Sequence, residues 1–197
     1  MNELEFESRT LIKEKDYLSL LDKYSKLYPN HHITDQINVY FDDDKLSLYH
    51  INEVLRLRIY KDHRPSKFTY KFDRKNGGGA EEIFQKLTEE EELNLLEKNI
   101  IPEGPVKEAL KIKGIKSIQF VGKIRTYRFE VFHKEYTIVL DKNEYENIID
   151  YNLEIESDSE AKSREIMKAI LKESHIKLEI DRTTKSKRAI NAYLNKK

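Results

Sequence analysis

The chain has 197 residues, enough for one domain with a sizeable core, and its 36 basic residues balance 36 acidic ones, so no global field draws nucleic acid or an anionic membrane. Without cysteine there is neither a disulfide framework nor a thiolate metal site, and with no signal-peptide pattern in MNELEFESR and no membrane-length apolar run the expected compartment is the cytoplasm. Charged residues make up 37% of the chain against 38% hydrophobic ones, a low apolar share that still exceeds that of a disordered chain, so the charge is expected to have a use.

Residues 2–9 alternate, with Glu3, Glu5, Glu7 and Arg9 on one side and Leu4 and Phe6 on the other, which predicts a strand with a charged face. From Leu11 to Tyr28 the period lengthens. Tyr17, Leu20, Leu21, Tyr24, Leu27 and Tyr28 form the stripe of an amphipathic helix that Pro29 and Asn30 close. His31 and His32, beside this turn, read as surface residues rather than metal ligands.

QINVYF, EVLRLRIYK, KFTYKFD and AEEIFQKL are the next expected strands. In the second, Val54, Arg56, Arg58 and Tyr60 oppose Leu55, Leu57 and Ile59; in the third, Lys67, Thr69, Lys71 and Asp73 oppose Phe68, Tyr70 and Phe72. Asp42, Asp43 and Asp44 do not continue into an EF-hand pattern and read as a polar turn. Gly77, Gly78 and Gly79 lack the GxxxxGK[ST] pattern of a phosphate loop and read as a flexible hairpin connection.

Thr88 and Glu91 have the spacing of a capping box for a helix to about Lys98, and a short helix is expected from Val106 to Ile112. These two form a helical insertion around 88–113 in a single domain spanning 1–197. KIRTYRFEVF, EYTIVLDKNEY and DYNLEIES then resume the strands, the last with Asp150, Asn152, Glu154 and Glu156 opposite Tyr151, Leu153 and Ile155. Ser157 and Glu160 suggest another capping box before a helix striped by Ile166, Met167, Ile170 and Leu171. TTKSKRAINAYL carries Ala189, Ile190, Tyr193 and Leu194 at helical spacing.

One such strand is what any antiparallel sheet with a solvated face would contain. Together with several apolar-striped helices, they suit an α+β fold in which amphipathic helices cover the outside of a curled antiparallel sheet and the charged faces point inward. About eight strands, roughly the number read from the sequence, suffice to close such a sheet around a lumen. A mixed lining of Arg, Lys and Glu is costly without compensation, so it implies anion and cation ligands or extensive internal pairing. Phosphate with a divalent metal satisfies both signs.

ELEFESR resembles the ExExK signature of the CYTH family of triphosphate tunnel metalloenzymes, with Glu5 and Glu7 as its acids and Arg9 in the lysine place. LRLR, TYK, AEEIFQ, RTYRFEV, LDKNEY and DYNLEIE follow in the family's order, most like its short, stand-alone bacterial branch. The resemblance covers nearly the whole chain and implies an eight-stranded closed antiparallel barrel, a tunnel that binds a triphosphate, with basic side chains on the phosphates and carboxylates on Mg²⁺ or Mn²⁺. By motif position, Arg56, Arg58, Lys71 and Arg128, with Arg9 and Lys187 in addition, are the implied phosphate ligands. Glu5, Glu7, Glu154 and Glu156 are the implied metal carboxylates, Glu154 and Glu156 being the expected catalytic pair, and Glu82 and Asp141 complete a second metal site. Glu3 is expected at the tunnel mouth, and Glu81 pointing away from Glu82.

The implied activity is metal-dependent hydrolysis of inorganic triphosphate or of a triphosphorylated small molecule, with no nucleic-acid or membrane partner. The alternatives are a class IV-type adenylate cyclase and a non-catalytic polyphosphate- or nucleotide-binding module. The chemistry suits the residues: arginine presents a planar fork to phosphate oxygens, and hard divalent ions prefer oxygen ligands. Arg9 departs from the family pattern, because its very high pKa makes it a poor proton donor, so an acid role of the family lysine does not transfer. Lys187 sits in the basic run KSKR, which solvation alone would also explain.

Overall fold

Alternation at period two becomes pairing in the computed structural model, which describes residues 6–73, 80–178 and 183–196. In chain order the elements are β1 (Phe6–Ile12), α1 (Glu14–Leu27), β2 (His32–Asp42), α2 (Ser47–His50), β3 (Val54–Tyr60), β4 (Lys67–Asp73) and β5 (Ala80–Lys86). They continue with α3 (Glu89–Lys98), α4 (Pro105–Ile112), β6 (Gln119–Phe132), β7 (Tyr136–Tyr145), β8 (Ile148–Ser157), α5 (Glu160–Glu173) and α6 (Lys185–Leu194). The eight strands make one sheet in the order β1-β8-β7-β6-β2-β3-β4-β5, so the expected α+β class with eight antiparallel strands is what the chain forms. None of the described helices is long and apolar enough to cross a membrane. The chain divides into two compact units, residues 1–35 with 126–183 and residues 36–125 with 184–197.

In the first unit, β1 and β7 both pair antiparallel with β8. The odd-numbered residues Tyr151, Leu153 and Ile155 of β8 enter one apolar cluster with Ile138 and Leu140 of β7, Phe129 and Val131 of β6, Tyr17, Leu20 and Tyr24 of α1, and Met167, Ile170 and Leu171 of α5. Helices are needed there because each of these side chains contributes roughly 1.5–3 kcal/mol only when taken out of water. Two boundaries differ from the sequence expectation. Leu11 and Ile12 belong to β1, where they pair with Asn152 and Tyr151, so cross-strand bonding overrides the helical period they share with α1. Leu27 is 60% exposed and lies off the buried stripe of α1.

The cap of α5 also moves. Ser157 is still paired in β8, with Phe6 and Tyr136, and Ser159 takes the capping role by accepting from the Lys162 N–H at 3.3 Å. His32 is exposed and His31 half-buried, the latter holding the Tyr28 carbonyl at 2.8 Å through Nδ1.

In the second unit, β3 pairs antiparallel with β2 and β4, and β4 with β5. Leu55, Leu57, Phe68 and Tyr70 are at most 1% exposed and pack with Leu95 of α3 and Val106 and Leu110 of α4. The capping box of α3 forms as expected: Thr88 accepts from the Glu91 N–H at 3.2 Å and its own N–H donates to Glu91 at 2.9 Å. The aspartate turn is more than a polar turn. Asp42 is 1% exposed and accepts from the N–H groups of Asp43, Leu48 and Tyr49, which starts the short helix α2 that hydrophobic period could not reveal. Gly77, Gly78 and Gly79 lie outside the described residues, as do Glu3 and Glu5.

Gly122 of β6 lies directly against α6. Its φ is +149°, and a Cβ there would sit 3.0 Å from the Ala189 carbonyl oxygen and 3.2 Å from the Ile190 Cα. Only glycine satisfies both the dihedral and the contact. Gly122→Ala is expected to lower the unfolding free energy by about 1–3 kcal/mol; a denaturant titration with an unchanged midpoint would contradict this packing.

Candidate functional site

Each unit carries its charge on the sheet face opposite its apolar cluster, and the register decides which charges meet. In the first unit Glu7 is directly opposite Glu156, and Arg9 opposite Glu154, across β1 and β8. Asp141 on β7 is opposite Asn152. Residues opposite in an antiparallel pair share a face with Cβ atoms about 5 Å apart, so these side chains line one surface.

Arg128 of β6 is the anchor of that surface. Its Nε and Nη2 each donate to Asp141 at 2.9 Å, Nη2 also reaches Glu154 at 3.1 Å, and Nη1 lies 3.5 Å from Glu130. Asp141 and Glu154 are 0% and 2% exposed. Burial works against the charge of this guanidinium, but Asp141, Glu154 and Glu130 outweigh it and hold the group more firmly charged than an ordinary arginine. Arg9 lies 3.3 Å from Glu7 and 3.9 Å from the other oxygen of Glu154. Further along the same face, the Asn143 amide donates to Asp150 at 2.9 Å and Asn152 at 2.8 Å, while the Thr126 hydroxyl donates to Asn143 at 2.8 Å.

In the second unit the face is basic. The register sets Asn38, Arg58, Lys67 and Lys86 on one rung across β2 to β5, Tyr40, Arg56, Thr69 and Phe84 on the next, and Val54, Lys71 and Glu82 on a third. Glu82 lies 3.8 Å from Arg56, 3.6 Å from Lys67 and 3.6 Å from Lys71. Arg58 donates from Nε to Asn38 at 2.9 Å. Burial, and then repulsion from Arg58, pull the Arg56 pKa down to about 10, which still leaves it charged at neutral pH. Glu81 pairs with Phe72 instead, on the apolar side of the sheet. Lys187 of α6 donates to the Asn52 side chain and sits 5.3 Å from the centre of the Tyr49 ring.

Of the residues singled out in the sequence, Glu7, Arg9, Arg128, Asp141, Glu154 and Glu156 are brought together in the first unit, and Arg56, Arg58, Lys71 and Glu82 in the second. Lys187 is placed on α6 with Asn52, and Glu5 lies outside the described residues. The sequence reading placed Lys67 on the charged face of its strand without giving it a role, and did not name Asn38 or Glu130. Lys67 and Glu130 share the strand parity of Lys71 and Arg128, a signal that could have found them; Asn38 is reached only through cross-strand pairing.

Among the described residues no three acidic or histidine side chains already converge as a metal cage. The donor set nonetheless suits a hard ion, because Mg²⁺ is ordinarily held by one or two carboxylates together with water and substrate phosphate oxygens. The facing pair Glu7 and Glu156 offers that number of carboxylates, and Glu154, two residues along β8, is a third on the same face.

Glu82 makes the electrostatics testable. Burial raises its carboxyl, but Arg56, Lys71, Lys67 and Arg58 overcome this and hold it below the ordinary value of 4.5. A carboxyl depressed by folding adds stability that is present above its unfolded pKa and is lost as pH falls through the folded one. Glu82→Gln is therefore expected to lower stability at neutral pH and to flatten its decline in acid. Urea titrations of both proteins across pH check this, and parallel acid limbs would contradict it.

The model of the family described as CYTH domain matches residues 3–190. A Bacillus subtilis (strain 168) protein named "Putative triphosphatase YjbK" is 28% identical over 187 residues, covering 94% of this chain and 92% of its own. A crystal structure of a "putative adenylate cyclase" from Bacillus halodurans superposes with a TM-score of 0.82 at 27% identity, over 94% of this chain and 97% of that one. HpAC1 from Hippeastrum, named a "putative adenylyl cyclase" and described as having a dominant triphosphatase activity, shares the fold with a TM-score of 0.77 at 18% identity, over 95% of each chain. The family match takes in all eight strands, and with them both charged faces: the chain belongs to the CYTH domain family.

Proposed function

We propose that this protein hydrolyses a triphosphate group with the help of Mg²⁺ or Mn²⁺, the whole chain 1–197 acting as one domain with α3 and α4 as its insertion around 88–113. The observation that carries the reading is the basic face of β3, β4 and β5, where Arg56, Arg58, Lys67 and Lys71 gather around Glu82. Four cations around one carboxylate leave positive charge that a polyanion compensates better than water does at a half-buried site. The relative named as a triphosphatase supports a triphosphate as that polyanion.

In this reading Arg56, Arg58 and Lys71 take phosphate oxygens. Asn38 holds Arg58 at Nε, which aims its terminal nitrogens at the ligand and reduces the entropy lost on binding. Arg128, and Arg9 beside it, add positive charge on the first unit's face, and Lys187 adds a cation from α6. Asp141, fully buried and bidentate on Arg128, positions that guanidinium, and Glu82 does the same for the basic face; a second metal site at these two carboxylates stays part of the reading.

Glu7, Glu154 and Glu156 would hold the divalent ion, with Glu5 added by its motif position. Such an ion supplies neutralisation of phosphate oxygens and a water of lowered pKa at neutral pH. Glu154 and Glu156 are thus the residues on which turnover depends most. A second reading, a nucleotide cyclase, is favoured by the name of the Bacillus halodurans structure.

Phosphate release from inorganic and organic triphosphates is the direct assay. It is expected to stop on exhaustive chelation and return with Mg²⁺ or Mn²⁺, whereas a cyclic nucleotide with pyrophosphate as product would establish the cyclase and full activity without metal would overturn the mechanism. Arg58→Ala is expected to weaken triphosphate binding by about 10- to 100-fold, the value of a charge-assisted contact, and to lose turnover with it. Glu156→Gln is expected to lose turnover while calorimetry still records triphosphate binding; near-normal turnover by this variant would remove Glu156 from the catalytic role.

A further inference from the structure

Two polar atoms on the central rung of the basic face have no hydrogen-bond partner among the described residues: Nε of Arg56 and the hydroxyl of Thr69. The two residues are direct partners across β3 and β4, so both side chains rise from the same face. Thr69 is 1% exposed and Arg56 17%. A folded protein seldom leaves a buried donor unused, and two on one rung point to a shared ligand atom.

The chemistry of that atom follows from its neighbours. An arginine Nε–H only donates, and a threonine hydroxyl can donate, so the missing group is an acceptor. Arg58, Lys67 and Lys71 flank the rung, which excludes a cation and favours an anion. The Arg56 terminal nitrogen Nη2 already leans to Glu82, at 3.8 Å, while Nε is left without a hydrogen-bond partner among the described residues.

We propose that Thr69 is a direct phosphate-binding residue, its hydroxyl and the Arg56 Nε–H donating together to one phosphoryl oxygen of the triphosphate. This rests on the triphosphate reading above and adds to it a neutral ligand that charge patterning does not reveal. The hydroxyl fixes where that oxygen sits without adding to the repulsion among the four cations.

The test uses the full chain, inorganic triphosphate with Mg²⁺ as the probe, and two substitutions at one position. Thr69→Val keeps the shape and removes the hydroxyl; Thr69→Ser keeps the hydroxyl. Calorimetry is expected to show Kd raised about 10-fold in Thr69→Val and within about threefold of the parent in Thr69→Ser. Because the hydroxyl has no partner to lose among the described residues, the ligand-free Thr69→Val protein is expected to melt at the parent temperature or above it. Weaker binding accompanied by a lowered ligand-free melting temperature would show a structural role and overturn the assignment. Unchanged binding by Thr69→Val alongside weakened binding by Arg58→Ala would also overturn it while leaving the triphosphate reading intact. If the parent protein itself does not bind triphosphate, the reading fails and this assignment falls with it.

Discussion

Everything at the candidate site depends on strand register. In β3 and β4 the charged and apolar residues alternate without interruption, so a slip of one residue would carry Leu55, Leu57, Phe68 and Tyr70 to the charged side and leave Arg56, Arg58 and Lys71 against α3 and α4. Burying an unpaired cation costs far more than exposing a leucine. The same patterning that keeps the register therefore delivers the cations to one face, and each rung of the ladder becomes a line of side chains about 5 Å apart.

The two units meet the cost of such faces differently. In the first, carboxylates outnumber the cations they touch: Arg128 alone is met by Asp141, Glu154 and Glu130, and Arg9 by Glu7 and Glu154. Two-pronged geometry, with both Arg128 bonds to Asp141 at 2.9 Å, lets the pair remain charged while buried. In the second, cations predominate and a single contact residue, Glu82, is shared among Arg56, Lys67 and Lys71 at 3.6–3.8 Å, distances of attraction rather than of hydrogen bonding. Oxygen-rich and nitrogen-rich surfaces of this kind suit a hard cation and a polyphosphate respectively.

Much of this was legible in the chain because the strands alternate so regularly. The opposition of Tyr151, Leu153 and Ile155 to Asn152, Glu154 and Glu156 needs no more than parity, and the box formed by Thr88 and Glu91 needs only a spacing of three. Where two local signals competed, the sequence reading failed for a reason that can be named. The helical period is read from Leu11 onward, yet β8 offers the backbone of Leu11 and Ile12 a ladder. Ser157 has capping spacing, yet it is spent in β8, and Ser159 stands at the true helix start. Asp42 looked like part of a solvated run, but three backbone N–H groups converge on its carboxylate and stabilise it inside.

By itself the sequence determined the fold class, the parity of every charged face and the motifs that mark the family, because these follow from side-chain period and composition along short segments. Only the tertiary structure decided which residues meet across strands: that Asp141 grips Arg128, that Asn38 holds Arg58, that Lys67 joins Glu82, and that Arg56 faces Thr69 with a polar atom of each left without a partner among the described residues. Period assigns a face to each residue of a strand but carries no information on its offset against the neighbouring strand, and a hydrogen bond depends on that offset to within a fraction of an ångström.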